Sequence, residues 1–236
     1  MFINHNMSAP LLSIIIPVYN EDQIVASSLP PILGLAANHE VIIVNDGSTD
    51  QTKEILEALQ KNYSFQLVNQ ITNQGKGAAV KRGFAAAAGD FVIIYDADAE
   101  YSADDVKRLF NIALEHIDER TAVYGSRFLE NRPVSFHYLV NFFLTGLTNL
   151  LFRSHLTDME TCLKILPKSF LPLLKLRGRR FEIEPEITAQ LLKNQYTILE
   201  VPISYHYRGY KEGKKIRAKD GLLAVGALLA EKLFRP

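Results

Sequence analysis

The sequence predicts an α/β domain on a mostly parallel sheet covered on both faces, and three observations lead there. Apolar runs of strand length, rich in Ile and Val, recur at 11–18, 40–45, 65–68, 91–95 and 122–125. Such runs are continuous rather than alternating, the pattern of strands buried on both faces. Helix-compatible segments separate them, as crossover connections between parallel strands require.

The elements follow in order. LLSIIIPV (11–18) reads as a buried strand, and 22–33 is helix-compatible, with Pro30 and Pro31 expected to end that helix early. EVIIVN (40–45) is a second strand that runs into the turn Asp46-Gly47-Ser48-Thr49-Asp50. Ser48, Thr49 or Asp50 would cap the helix carrying Ile55, Leu56 and Leu59. Residues 65–68 form a third strand, and 75–88 a helix with an alanine-rich face. FVIIY (91–95) is a fourth strand leading directly into Asp96-Ala97-Asp98. Ser102 then opens a helix with Asp104 and Asp105 in its first turn, where the helix dipole favours them. Residues 122–125 make a fifth strand.

Beyond residue 130 the pattern changes. A long apolar helix at about 134–152 precedes a short stretch around 157–166, a helix at 184–193 and a strand at 197–201 closed by Pro202. A basic tail follows from His206 to Lys219, then an apolar helix over about 221–234. The expected organisation is a loosely ordered 1–10, one domain over 11–205, and a basic and apolar annex over 206–236. No repeat or long linker divides the chain.

Composition excludes other classes. With 236 residues, 47% hydrophobic and 22% charged, the chain can fill a core and is neither collagen-like nor low-complexity. The single cysteine, Cys162, excludes an internal disulfide framework and a cysteine-rich zinc site, which favours a reducing, cytosol-facing compartment. The start lacks a basic segment followed by an apolar run, so no signal peptide is expected, and no apolar stretch reaches the ~18–20 residues of a spanning helix. Net charge is zero but unevenly placed. Residues 1–150 carry 10 Lys/Arg against 17 Asp/Glu, whereas 151–236 carry 16 against 9. An acidic front half suits metal or hydroxyl ligands, and a basic rear half suits phosphate or an anionic surface.

Ligands of open parallel sheets bind beyond the carboxyl ends of the strands. Three polar clusters fall at such ends: 17–21, 45–48 and 96–98. Asp96 and Asp98 are the sharpest feature. Two carboxylates leaving one strand at i and i+2 suit a shared hard divalent cation, Mg2+ or Mn2+, able to bridge a nucleoside diphosphate. A bare pair of this kind is otherwise a surface turn. Glu21 and Asp46 offer acceptors to a ribose or a base N–H, although Asp-Gly also turns on its own backbone. Gly75-Lys76-Gly77 opens a helix and offers amides and one cation to a phosphate; it lacks full P-loop spacing, and helix-packing glycines are the alternative.

Taken together, IIIPVYNE (14–21), VNDGSTD (44–50), NQGKGAAVKRG (73–83) and YDADAEY (95–101) resemble the inverting family 2 glycosyltransferases of the GT-A fold. YGSRF (124–128), TDMETCLK (157–164), RFEIEPEI (180–187) and EVPISYHYRGYKEGKKI (200–216) resemble the branch of dolichyl- and polyprenyl-phosphate glycosyltransferases. The resemblance runs from about 11 to 216. It implies a Rossmann-like GT-A domain in which Pro17, Tyr19, Glu21 and Asp46 line the nucleotide pocket and Asp96 and Asp98 hold the metal. It further implies that Arg127 faces the acceptor or diphosphate, Asp158 stands at the reaction centre, and Arg208 with Lys214 or Lys215 grips phosphate. The sequence departs from the branch in carrying Ala99-Glu100 after the metal pair and one extra residue between arginine and lysine in the tail.

The expected reaction is inverting transfer of a hexose, of UDP-glucose or GDP-mannose type, to a polyprenyl or dolichyl phosphate. A phosphate monoester with a second pKa of ~6 is already ionised and attacks unaided, whereas a hydroxyl needs a base, for which Asp158 is the candidate. Arg208, Lys211, Lys214, Lys215, Arg217 and Lys219, opposed by Glu212, favour the phosphate acceptor. No nucleic-acid module accompanies them. The apolar helices at 134–152 and 221–234 suit shallow insertion on the cytosolic membrane face. They also suit a buried core, a homodimer or a membrane protein partner. Rival readings are transfer to a saccharide or lipid hydroxyl, a sugar nucleotidyltransferase, and a nucleotide-sugar binding scaffold.

Overall fold

The computed structural model describes residues 11–117, 119–130, 136–207 and 218–234. Seven strands form one sheet: β1 (Leu12–Val18), β2 (Glu40–Asn45), β3 (Gln66–Asn69), β4 (Phe91–Ile94), β5 (Thr121–Ser126), β6 (Lys164–Pro167) and β7 (Thr197–Pro202). Their order is β3-β2-β1-β4-β6-β5-β7. Every neighbouring pair is parallel except the two that involve β6, which runs against β4 and β5. The carboxyl ends of six strands therefore share one edge.

Helices α1 (Val25–Ser28), α2 (Pro30–Leu33), α3 (Thr52–Leu59) and α5 (Ala103–Glu115) cover one face, and α4 (Lys76–Ala86) and α7 (Ile183–Lys193) the other. Adjacent residues of β1 serve opposite faces: Ile14 and Ile16 join Leu29, Leu56 and Leu109, while Ile15 joins Val80 and Ile183. This two-sided demand is why β1, β2 and β4 read as unbroken apolar runs. Helices α6 (Phe136–Phe152) and α8 (Ala218–Leu233) extend the second layer, with Leu144, Ala189, Ala224 and Leu228 packed together around Met159. Among the described residues, no helix is long and apolar enough to cross a membrane.

The helix expected within 22–33 does end early, α1 stopping at Ser28, and Pro30 and Pro31 then open α2, because a proline in the first turn gives up an amide that has no intrahelical partner anyway. Two local expectations are corrected. The cap position of α3 is Gln51, although Asp50 Oδ1 still accepts from the Thr52 amide at 3.0 Å. Residues 164–167, expected only as part of a short stretch, form the antiparallel strand β6 in the middle of the sheet. Ser102 does cap α5, accepting from the Asp104 amide at 3.2 Å.

Candidate active site

At the shared edge, β1 and β2 end side by side, and their loops are knitted together. The Asn20 amide donates to Ser48 Oγ at 3.0 Å, the Thr49 amide to Asn20 Oδ1 at 2.8 Å, and the Glu21 amide to Thr52 Oγ1 at 2.9 Å. Asn20 takes a left-handed φ of +48° to make this turn. Pro17, Tyr19 and Glu21 come out half-buried along its rim.

Asp46, by contrast, is only 2% exposed. Its carboxylate accepts from Gln70 Nε2 at 2.9 Å and from the Gln74 and Gly75 amides, each at 2.8 Å. Burial pushes its pKa up, and the two amides oppose the rise. Asp46 thus shapes the entry to α4. Gly75 there has φ +94°, and a Cβ would lie 2.2 Å from the Arg179 carbonyl oxygen. That same oxygen accepts from the Gly77 amide at 2.8 Å. The Gly75 and Gly77 amides, considered for phosphate in the sequence, are therefore held by Asp46 and Arg179. What the segment presents to the site is the Lys76 side chain.

Lys76 Nζ lies 2.9 Å from both carboxylate oxygens of Asp96 and 3.2 Å from Glu184 Oε1. Burial works against its charge, but Asp96 and Glu184 outweigh burial and hold its pKa well above the ordinary lysine value. Glu184 Oε2 lies 2.5 Å from Nζ of Lys164, which is fully buried on β6. Charges of alternating sign thus run from Asp96 through Lys76 and Glu184 to Lys164. Beyond Asp96 the chain turns through Ala99 at φ +61°, and Asp98 Oδ1 accepts from the Glu100 amide at 3.1 Å.

Burial, with the charges of Asp96 and Glu100 adding to it, pushes the Asp98 carboxyl up to about 7. A carboxylate whose proton is held by burial and a neighbouring negative charge is suited to a cation. Among the described residues no group of three or more His, Cys, Asp or Glu forms a metal cage. Mg2+ and Mn2+ do not need one. They are commonly held by one or two carboxylates, with substrate phosphate oxygens and water completing the shell. The hard-oxygen pair Asp96 and Asp98 fits such an ion.

A second cluster joins Arg127 to Asp158. Arg127 Nε and Nη2 donate to the two Asp158 oxygens, each at 2.7 Å, and the Arg127 amide donates at 3.0 Å. Asp158 is fully buried, and the Arg127 guanidinium also stacks 5.1 Å from the ring centres of Phe128 and Tyr205. Burial opposes the charge of Arg127, and Asp158 more than restores it. The resemblance implies separate roles, Arg127 facing the acceptor or diphosphate and Asp158 at the reaction centre; the fold makes them one bidentate pair.

Three carboxylates here escaped sequence reasoning. Glu200 on β7 accepts from the Thr157 amide at 2.7 Å and the Asp158 amide at 2.9 Å, which fixes the loop carrying Asp158. Glu184 bridges two lysines, as described above. Glu160, acted on by the charges of Lys164, Glu184, Arg127 and Asp158, has one oxygen, Oε1, buried and unpartnered. Glu200 and Glu184 depend on partners distant in sequence, so no local spacing announces them. Arg208, Lys214 and Lys215 lie outside the described residues. The segment leading to them is fastened to the loop after the Asp pair. Tyr205 donates its hydroxyl to Glu100 Oε2 at 2.8 Å, and the His206 amide donates to the Glu100 carbonyl at 3.0 Å.

Comparison with known proteins agrees with this fold. The family model described as Glycosyl transferase family 2 matches residues 13–171. The UDP-N-acetylglucosamine--dolichyl-phosphate N-acetylglucosaminyltransferase of Methanococcus voltae is 28% identical, over 96% of this chain and 98% of its own length. The undecaprenyl-phosphate 4-deoxy-4-formamido-L-arabinose transferase of Aeromonas hydrophila is 30% identical, over 78% of this chain and 61% of its own. Among solved structures, glucosyl-3-phosphoglycerate synthase from Mycobacterium tuberculosis, in complex with Mn2+, UDP and phosphoglyceric acid, superposes with a TM-score of 0.74 at 17% identity. That match covers 95% of this chain and 79% of the other and establishes a common fold.

Proposed function

This chain belongs to glycosyl transferase family 2, and on that premise we propose that it moves a hexosyl group from a nucleoside diphosphate sugar to a polyprenyl or dolichyl phosphate at a membrane surface. The observation that carries the reading is the Asp96–Asp98 pair at the carboxyl end of β4, with Lys76 on one side and, just beyond the end of β5, Arg127 paired with Asp158. In this reading Asp96 and Asp98 hold Mg2+ or Mn2+, and Pro17, Tyr19, Glu21 and Asp46 form the wall toward the nucleoside. The ion, when bound, neutralises charge on the departing diphosphate.

The chain's own residues do the rest. Lys76, with its proton held firmly by Asp96 and Glu184, adds a fixed positive charge beside the leaving group. Arg127, locked by Asp158 and two aromatic rings, presents a preorganised cation to the acceptor phosphate. Arg208, Lys214 and Lys215 add to that charge. An ionised phosphate needs no base, and the carboxylate of Asp158, saturated by three hydrogen bonds, serves as a positioner of Arg127.

A lipid acceptor is supported by the relatives' substrates and by exposed apolar side chains. Phe142 and Phe143 on α6 are 61% and 62% exposed, and Leu222 and Leu233 on α8 are 77% and 66% exposed. The test incubates the purified protein with radiolabelled UDP-glucose, UDP-N-acetylglucosamine or GDP-mannose, Mn2+ or Mg2+, and undecaprenyl or dolichyl phosphate. Label entering the organic phase, and lost in EDTA or in Asp98→Ala, is the expected result. Release of free sugar alone, or transfer only to saccharides, would contradict the lipid-phosphate acceptor.

A further inference from the structure

The segment from Thr157 to Leu163 threads along the carboxyl edge between β4 and β5. Ser126 and Thr157 hydroxyls meet at 2.7 Å, the Gly125 amide donates to the Leu163 carbonyl at 2.8 Å, and β6 then continues antiparallel beside both strands. Alternate side chains of this segment enter one polar cluster. Asp158 binds Arg127, Cys162 lies within the fields of Asp96 and Asp98, and Lys164 binds Glu184.

Glu160 belongs to the same alternation but has no such partner. Both cations that act on it are already engaged, Arg127 by Asp158 and Lys164 by Glu184. Its Oε1 is buried without a hydrogen bond, and burial pushes its carboxyl up to about 7 against the pull of Lys164. A buried acceptor left empty costs stability, and in native chains such a group calls for a partner, a ligand among them. In the donor reading given above the nucleotide sits at the Asp96 end of this cluster, which leaves the 157–163 segment to face the sugar it carries.

We propose that Glu160 reads the donor sugar, its free carboxylate oxygen accepting a hydrogen bond from one hydroxyl of the transferred hexose. The inference rests on the donor reading given above and adds a specificity-determining residue to it. No bond to Glu160 forms or breaks. A site built to bond a substrate hydroxyl discriminates strongly against a sugar lacking it, because the buried acceptor is then left unpaired.

The test takes whichever of UDP-glucose, UDP-N-acetylglucosamine and GDP-mannose the wild type uses fastest, together with its monodeoxy analogues, and compares wild type, Glu160→Gln and Glu160→Met. Wild type is expected to lose roughly 10- to 100-fold in kcat/KM for one deoxy position. Glu160→Met loses a similar factor with the parent donor and shows no further loss for that one analogue, and Glu160→Gln falls between. Calorimetric affinity for UDP or GDP with Mn2+ stays within about twofold, and Glu160→Met melts a few degrees higher than wild type, by roughly 2–4 °C. Equal deoxy penalties in wild type and Glu160→Met would overturn the proposal, as would weakened nucleotide binding or a lowered melting temperature. A wild type that transfers sugar from no donor would instead refute the donor reading itself.

Discussion

Removing either member of the Arg127–Asp158 pair leaves a buried charge without its counter-ion. Asp158 is 0% exposed, the Arg127 side chain is 9% exposed, and three hydrogen bonds join them. Loss of one partner of a buried pair costs about 3–5 kcal/mol, whereas removing both leaves no orphaned charge. Urea unfolding of Asp158→Ala should therefore show a loss of about that size, and Arg127→Met a comparable one. The double variant should be no less stable than the worse single, an interaction of about 3 kcal/mol in the cycle. Transfer activity should fall to the same floor in all three, since residues acting as one unit are not additive. Additive losses, or an Asp158→Ala variant within about 1 kcal/mol of wild type, would refute the view that Asp158 acts through Arg127.

Gly75→Ala forces a Cβ onto the Arg179 carbonyl at φ +94°, and thermal denaturation should show a loss above about 1 kcal/mol; a neutral change would contradict the described entry to α4. The raised pKa of Glu160 carries a definite sign. Between about 4.5 and 7 the folded chain keeps a proton that the unfolded chain has released, so stability contributed by this group falls as pH rises through that window. Asp98 contributes with the same sign, so Glu160→Gln should lessen rather than abolish the fall of melting temperature between those pH values, and an unchanged slope would count against the raised carboxyl of Glu160. Replacing Phe142 and Phe143 together by Ser should lower co-sedimentation with anionic vesicles more than 10-fold, because each exposed ring is worth about 1.5–3 kcal/mol on burial; undiminished binding would move the membrane face elsewhere.

The sheet was legible where both faces of a strand are buried. β2 coincides with its sequence run, and β1 and β4 differ from theirs by one residue at an end, because Ile and Val on both sides leave no alternation to misread. β6 was not legible. It has four residues, begins with a lysine and ends with a proline, and the reason Lys164 is tolerated in the sheet is Glu184, twenty residues away. The same distance rule governs the site. Asp96 and Asp98 follow directly from FVIIY, so their shared edge could be read locally. The joining of Arg127 to Asp158, and the support of Asp158 by Glu200, arise only when β5, the 157–163 segment and β7 come together. Asp46 is the instructive middle case. Its place at the end of β2 was evident, but its hydrogen bonds to Gln70, Gln74 and Gly75 belong to a loop that local spacing does not specify.

The most direct measurement is a calorimetric titration of UDP and GDP into the protein with and without Mn2+, repeated for Asp96→Asn and Asp98→Asn. Nucleotide binding that tightens with Mn2+ in the wild type, and loses that increment in both variants, is the outcome expected if the two carboxylates share one cation with the diphosphate. Binding of the same strength with and without the ion, or an increment that survives in both variants, would contradict it.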